Sequence, residues 1–145
     1  MTDHQPDPRS DGGTSSELQS VVRFKFHEGK LEEFKRLSAV CMEIVRSQDP
    51  GTLQYDTFFN EDESECIVLE RFRDVDALLQ HGANIGDELM EQIVATGECH
   101  GELLGPVPEE VRASLAGGPV QVFLPYLALE GSALTRGVPD EPASS

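Results

Sequence analysis

The sequence predicts a domain of the α+β class, with one largely antiparallel sheet and helices packed against it. Segments in which apolar and polar residues alternate, as in strands, are interspersed with segments whose apolar residues recur every three or four positions, as in helices. Two predicted strands are separated only by a short polar turn, which indicates an antiparallel hairpin. The predicted order of elements is β-α-β-β-α-β, followed by an extra C-terminal helix and strand.

The first strand and the first helix have clear signals. Residues 19–27 are rich in β-branched and aromatic side chains, which favours a strand. Residues 30–47 carry one apolar stripe at helical spacing, with Glu32 and Glu33 in the first turn, where negative charge suits the helix dipole. The segment 49–51, Asp-Pro-Gly, is expected to end this helix, because proline disfavours helical backbone before it and glycine permits a sharp turn.

The second long helix is predicted over residues 75–95, with Asp74 as its N-cap. Gly82 and Gly86 lie inside it, so we expect a kink or a break into two pieces. The remaining elements are a hairpin of two strands (52–59 and 65–73), a fourth strand (98–104), a short helix (108–116) and a fifth strand (120–129). Pro125 within the last of these requires an edge position or a bulge.

The first six elements correspond to the split βαβ, or ferredoxin-like, arrangement, in which both helices cover one face of the sheet. Apolar residues at Phe58, Phe59 and 67–69 lie on both faces of the predicted strands. A sheet that is apolar on both faces needs a second cover, and the simplest cover is another copy of the chain. We therefore predict a homodimer, with the strand at 120–129 crossing to the partner. Alternatively, the C-terminal segment folds back over its own sheet.

Composition excludes several classes of function. The chain has 145 residues, a net charge of −16 and a pI near 4.4, which argues against binding to nucleic acid or to anionic lipid. No apolar run reaches the length of a membrane span, and the first residues lack the apolar core of a secretory signal, so we expect a cytoplasmic protein. The tails at 1–17 and 131–145 are expected to be disordered, which leaves one domain at 18–130.

The cysteines do not indicate a metal site or a disulfide. Cys41, Cys66 and Cys99 are odd in number and widely spaced, so reduced thiols are expected. Cys99 is followed by His100, but neighbours in a strand face opposite ways and cannot easily share one metal ion. We predict no metal ligands.

Residues 29–81 resemble the antibiotic biosynthesis monooxygenase domain family, with a quinol-monooxygenase-like pattern. The pattern is a glycine before a Glu-Glu-Phe helix, then Pro-Gly-Thr-Leu-x-Tyr, then Leu-Glu-x-aromatic, Asp-x-x-Ala and a histidine. Each piece is weak alone, but their order and spacing make the resemblance specific. The matching residues are Gly29, Glu32, Glu33, Phe34, Pro50, Gly51, Thr52, Leu53, Tyr55, Leu69, Glu70, Phe72, Asp74, Ala77 and His81.

The resemblance implies a dimeric α/β barrel. Members of the family include oxygenases that need no metal or flavin, as well as heme-degrading enzymes and proteins without an assigned activity. Two departures matter here: Phe72 stands where the family often has Trp, and Asn84-Ile85-Gly86 replaces a stretch that often carries a second His. The first strand also lacks the Asn that heme-degrading members use, so heme degradation is disfavoured.

His81 is the candidate catalytic residue. It lies on the apolar stripe of the second long helix, between Leu78 and Ile85, facing the sheet. A partly buried imidazole can take a proton from a phenol or a hydroquinone, the step that a cofactor-independent oxygenase needs. A structural histidine, bonded to a backbone carbonyl or to Glu70, is the alternative.

Four other residues are candidates for substrate binding. Tyr55 and Phe72 either wall a flat aromatic ligand or simply pack in the core. Glu70 either contacts the site or pairs structurally, and Asn84 either bonds a substrate carbonyl or caps the helix. The predicted function is oxidation of a hydroquinone or polycyclic phenol by O₂, without a tightly bound cofactor. The alternative is a non-catalytic dimeric module that binds a small apolar ligand or a partner.

Overall fold

The computed structural model describes residues 15–129, so most of the two predicted tails lies outside the described residues. Within this range the order of elements matches the predicted one. The elements are β1 (Leu18–Phe26), α1 (Leu31–Gln48), β2 (Thr52–Phe59), β3 (Glu65–Phe72), α2 (Val75–Ile85), α3 (Asp87–Val94), β4 (Gly97–Leu104), α4 (Glu109–Leu115) and β5 (Val120–Phe123). None of the described helices is both long and apolar enough to cross a membrane.

The five strands form one sheet in the order β2-β3-β1-β4-β5. The first four are antiparallel neighbours, as the ferredoxin-like prediction requires, and β5 adds to β4 in parallel. The α+β, ferredoxin-like class with an extra C-terminal helix and strand is confirmed.

The predicted break in the second long helix is confirmed, and Gly86 is its cause. Gly86 has φ +83°, a left-handed conformation that glycine adopts without strain, and it separates α2 from α3. Gly82 stays inside α2. Asp74 caps α2 as predicted, its side chain accepting a hydrogen bond from the Ala77 backbone N–H at 2.9 Å.

The predicted strand at 120–129 is wrong in length, because β5 ends at Phe123. It also does not cross to a partner, since it pairs with β4 of its own chain. Pro125 has no N–H to donate and therefore cannot extend a ladder. The last hydrogen bond between β5 and the residues that follow β4 runs from the Gly105 N–H to the Phe123 carbonyl, at 3.1 Å. Residues 124–129 after it are irregular and largely exposed, with Leu127 70% accessible.

The helices cover one face of the sheet and bury two apolar clusters there. The larger cluster lies under α1 and α3 and includes Phe24, Phe34 and Leu37. The smaller cluster joins the start of α2 to the far end of the sheet and includes Leu18 and Phe72. Alternation along the strands places the remaining strand residues on the opposite face, which we call the open face.

Candidate functional site

His81 and Asp49 form a buried pair between the helices and the sheet. The imidazole Nδ1 lies 2.6 Å from Asp49 Oδ2, and the two side chains are 8% and 1% exposed. His81 is on the inner side of α2, while Asp49 is the residue that caps the C-terminus of α1. The helix end predicted at Asp49 therefore also places a carboxylate against the candidate histidine.

The Asp49 carboxylate is held in a fixed orientation by its neighbours. Asn84 Nδ2 donates to Asp49 Oδ1, and the Thr52 hydroxyl lies 3.5 Å from Oδ2. The Asp49 backbone N–H donates to the Val45 carbonyl at 3.1 Å. With Asp49 accepting at Nδ1–H, the neutral imidazole carries its proton on Nδ1, and Nε2 is the nitrogen with a lone pair.

Aromatic rings fix the His81 ring from two sides. The ring centroids of Tyr55 and Phe72 lie 5.5 Å and 5.3 Å from that of His81. At the start of α2 the backbone of Gly51 allows a close approach, since a Cβ there would lie 2.5 Å from the Ala77 Cβ. Gly51 therefore permits the helix–loop distance at which His81 meets Asp49.

His81 lines a cavity of about 100 Å³ between β1–β3 and the helices α1, α2 and α3. Most of its lining is apolar. Besides His81, the lining side chains that carry a polar or sulfur-containing group are Ser38, Cys41, Tyr55, Thr57, Glu70, Met90 and Cys99. A larger, shallower groove of about 390 Å³ lies between α4 and β5, and Arg112 is its one ionisable lining residue. The candidate site residues lie in the smaller cavity instead.

Glu70 is the acidic residue of the cavity. It lies in β3, directly opposite Ser20 of β1 and Tyr55 of β2. Burial raises the pKa of the Glu70 carboxyl, while the nearby His81 and a hydrogen bond from Ser20 oppose that rise. The raised pKa favours the neutral acid.

Tyr55 and Cys41 face each other across the cavity and remain protonated. Burial raises the pKa of the Tyr55 hydroxyl far above its usual value, and the neighbouring Cys41 and Glu70 add to the rise. Burial also raises the pKa of the Cys41 thiol. Tyr55 is therefore a hydrogen-bond donor, and Cys41 is not an activated nucleophile.

The structure brings together three of the five predicted site residues in the cavity wall: His81, Tyr55 and Glu70. Phe72 is fully buried behind the His81 ring. Asn84 lies on the far side of the pair, where its amide donates to Asp49 and to the Gln48 carbonyl.

Sequence analysis missed Asp49, Cys41 and Ser20 as parts of this site. Only Asp49 had a signal in the sequence. A buried histidine on an apolar stripe needs a polar partner, and the aspartate that ends α1 before the Pro-Gly turn can supply one. Cys99 and His100 point to opposite faces of β4, since Cys99 packs against the core and His100 is exposed. Among residues 15–129 no group of three or more His, Cys, Asp or Glu side chains is arranged to hold a metal ion.

The fold and the site thus describe a ferredoxin-like domain with a histidine–carboxylate pair at a small apolar cavity. Residues 19–85 match the family model for antibiotic biosynthesis monooxygenases. This match covers 67 of the 145 residues and confirms the resemblance to that family predicted from residues 29–81. No curated protein sequence gives a significant match.

Solved structures give the same fold. MupZ from Pseudomonas fluorescens is 28% identical, with a TM-score of 0.67, covering 85% of this chain and 97% of its own. Rv0793 from Mycobacterium tuberculosis is 21% identical, with a TM-score of 0.54, covering 65% and 98%. A variant of SnoaB, a cofactor-independent oxygenase from Streptomyces nogalater, is 17% identical, with a TM-score of 0.52, covering 66% and 95%. The last two similarities concern the fold alone.

Proposed function

We propose that this protein is a monooxygenase that oxidises a hydroquinone or a phenol with O₂ and needs no metal or flavin for that reaction. The observation that carries the proposal is the buried Asp49–His81 pair, whose ring lines an apolar cavity. The match of residues 19–85 to the family model and the fold shared with a cofactor-independent oxygenase support it.

His81 acts as the base in this proposal. With Nδ1–H held by Asp49, Nε2 accepts the hydroxyl proton of the substrate, and Asp49 stabilises the imidazolium that results. The deprotonated substrate is electron-rich and gives one electron to O₂, and the two radicals combine to a carbon-bound peroxide. The apolar lining keeps bulk water from these intermediates.

The cavity favours a substrate of one ring. Pockets that hold drug-sized ligands are about 300–1,000 Å³, whereas an apolar cavity of about 150 Å³ accommodates benzene. A volume of about 100 Å³ is therefore close to that of a single ring. A polycyclic phenol requires α3 to move away from the sheet, for which the break at Gly86 provides a hinge point. The Tyr55 hydroxyl is the donor that orients the ring.

We also propose that the protein is a homodimer formed through the open face. Phe58, Ile67 and Phe123 lie there with 54%, 37% and 44% of their surface exposed, a large apolar area for a single domain. Arg23 lies on the same face, and its Nε is buried without a hydrogen-bond partner among residues 15–129. The Arg23 side chain is 43% exposed and its outer nitrogen lies 3.8 Å from Glu102 Oε1, so the guanidinium can also meet a carboxylate of a second copy of this acidic chain.

A non-catalytic module that binds a small apolar ligand is the second candidate, favoured by the small size and apolar lining of the cavity. Oxygen uptake with a panel of one-ring and polycyclic hydroquinones distinguishes the two. The proposal expects uptake by the wild type, at least about a 100-fold loss in His81→Ala, and no loss in His27→Ala, whose exposed histidine lies at a turn. Ligand binding without uptake, or uptake that survives His81→Ala, overturns the oxygenase proposal.

A further inference from the structure

We infer that Glu70 is a second catalytic residue of this cavity, the acid that gives a proton to the oxygen atom released as water. The inference rests on the proposed function and adds a proton donor to it. Glu70 and His81 face the same cavity from opposite sides, one from the sheet and one from α2.

The position of Glu70 is unusual for a carboxylate, because no Lys or Arg among residues 15–129 pairs with it. Its strand neighbours Val68 and Phe72 are buried on the helix-covered face, so its side chain lies on that face too. The described lining contains neither Lys nor Arg. Arg71, the next residue, is on the open face, where it bonds to Glu17 at 2.8 Å.

Each element packed against Glu70 presents a group that bears on its protonation. The groups are Ser20 on β1, Cys41 on α1, Tyr55 on β2, His81 on α2 and Cys99 on β4. Of these, only the imidazole of His81 can become a cation, and it does so when it has taken the substrate proton. The α3 side chains in the lining, Met90, Ile93 and Val94, do not titrate. Burial in a lining without Lys or Arg therefore favours the neutral form of Glu70 in the resting site.

The proposed reaction needs such an acid at one defined step. After O₂ has bonded to the ring carbon, the imidazolium returns its proton to the distal peroxide oxygen, which gives a hydroperoxide and neutral His81. His81 then takes the proton from the same ring carbon, the C=O bond forms and the O–O bond breaks. The departing hydroxide takes the Glu70 proton and leaves as water, so one oxygen atom ends in the product and the other in water.

The site returns to its starting state without an external donor. The last step leaves an imidazolium at His81 and a carboxylate at Glu70, two opposite charges across one small cavity. Transfer of the proton from His81 to Glu70 restores both neutral groups. The state with an imidazolium at His81 and a carboxylate at Glu70 is accessible because the two charges attract each other. The same attraction opposes the rise in the Glu70 pKa.

Glu70→Gln tests the inference, because it keeps the shape and the hydrogen-bonding capacity but cannot release a proton. We expect a loss of turnover of about 100-fold or more, with accumulation of an adduct that carries both oxygen atoms, detected by mass spectrometry in ¹⁸O₂. Glu43→Gln on the exposed side of α1 is the matched control and should behave as wild type. Glu70→Asp, which retains an acid, should recover part of the activity, and circular dichroism checks that each variant is folded.

Two outcomes overturn the inference, and one of them is independent of turnover. If the wild type is active through His81 but Glu70→Gln turns over normally without the adduct, Glu70 is not the acid, and the oxygenase proposal stands. Infrared difference spectra of wild type against Glu70→Gln should contain the band of a protonated carboxyl at neutral pH, and a carboxylate band instead also overturns the inference. A wild type that consumes no oxygen with any substrate overturns both proposals.

Discussion

Asp49→Asn separates the role of the Asp49 charge from the role of its shape. The side chain is fully buried and receives three donors: the His81 Nδ1–H at 2.6 Å, an Asn84 amide N–H and the Thr52 hydroxyl. An amide of the same size offers one accepting oxygen in place of two. The NH₂ group must therefore face either Asn84 or His81.

The two orientations have different costs. If the NH₂ group faces Asn84, two donors confront each other in a buried site, which costs about 1–3 kcal/mol in the free energy of unfolding. If it faces His81, the ring shifts its proton to Nε2 so that Nδ1 can accept, and the Thr52 hydroxyl turns from donor to acceptor of the second amide hydrogen, so the bonds to Asn84, His81 and Thr52 are all kept. The second arrangement is cheaper, so we expect a destabilisation of about 1 kcal/mol, at the lower end of that range.

The same shift removes the base. With its proton on Nε2, His81 presents a donor to the cavity and cannot take the substrate proton. We expect kcat for oxygen uptake to fall by about 100- to 10,000-fold, the contribution typical of a positioned general base, while stability changes little. Because the loss stems from the tautomer, it should not be restored by a higher substrate concentration.

Three measurements check this reasoning: an oxygen electrode for kcat, urea unfolding for stability, and long-range ¹H–¹⁵N NMR for the tautomer. Asp76→Asn, an exposed residue in the first turn of α2, controls for the loss of one negative charge. A wild-type kcat in Asp49→Asn, or a proton that remains on His81 Nδ1 together with lost activity, would refute the mechanism given for Asp49.

Four further predictions concern the stability and the assembly of the molecule. The Glu70 carboxyl keeps its proton to a higher pH in the folded than in the unfolded chain, so its contribution to the free energy of unfolding falls as the pH rises above about 4.5. Glu70→Gln should remove this fall. Urea unfolding of the wild type and the variant between about pH 4 and 8 measures the difference. Gly51→Ala should cost about 1–3 kcal/mol and reduce oxygen uptake, since its Cβ would collide with Ala77. Gly82→Ala should instead stabilise the domain by about 0.5–1 kcal/mol, because there is open space around Gly82. Thermal unfolding of both glycine variants measures the two effects. Ile67→Lys should give a monomer by light scattering, whereas the control Leu79→Lys, at an exposed site of α2, should remain a dimer; a dimeric Ile67→Lys would contradict the open-face interface.

Local sequence signals predicted the elements and their order because each rests on neighbouring residues. The capping carboxylate of Asp74 and the left-handed Gly86 act within one or two turns, so the helix start and the helix break were both predictable. The end of β5 was not predicted, although Pro125 supplied the reason for it. Apolar residues continue past the proline, and a pattern of side chains does not report a missing backbone donor.

The site was less predictable because its central contact joins residues far apart in the sequence. Asp49 and His81 are 32 positions apart, and Asp49 was interpreted only as the residue that ends α1. Asn84 was considered as a substrate contact or a cap, and its amide instead holds the Asp49 carboxylate. Both roles depend on how α1 and α2 meet, which the close contact between Gly51 and Ala77 determines.

The contact at Gly51 links the loop after α1 to the position of α2, and so connects the fold to the chemistry. Pro50 and Gly51 end α1 so that Asp49 stays at the helix terminus, buried, with its carboxylate turned towards α2. A larger residue at Gly51 would move α2, and with it His81, while leaving Glu70 in place on the rigid sheet. The distance between the base and the acid is therefore set by helix packing and not by the sheet. For this reason a substitution at the contact between Gly51 and Ala77 should reduce activity more than a substitution elsewhere in the domain that costs the same stability.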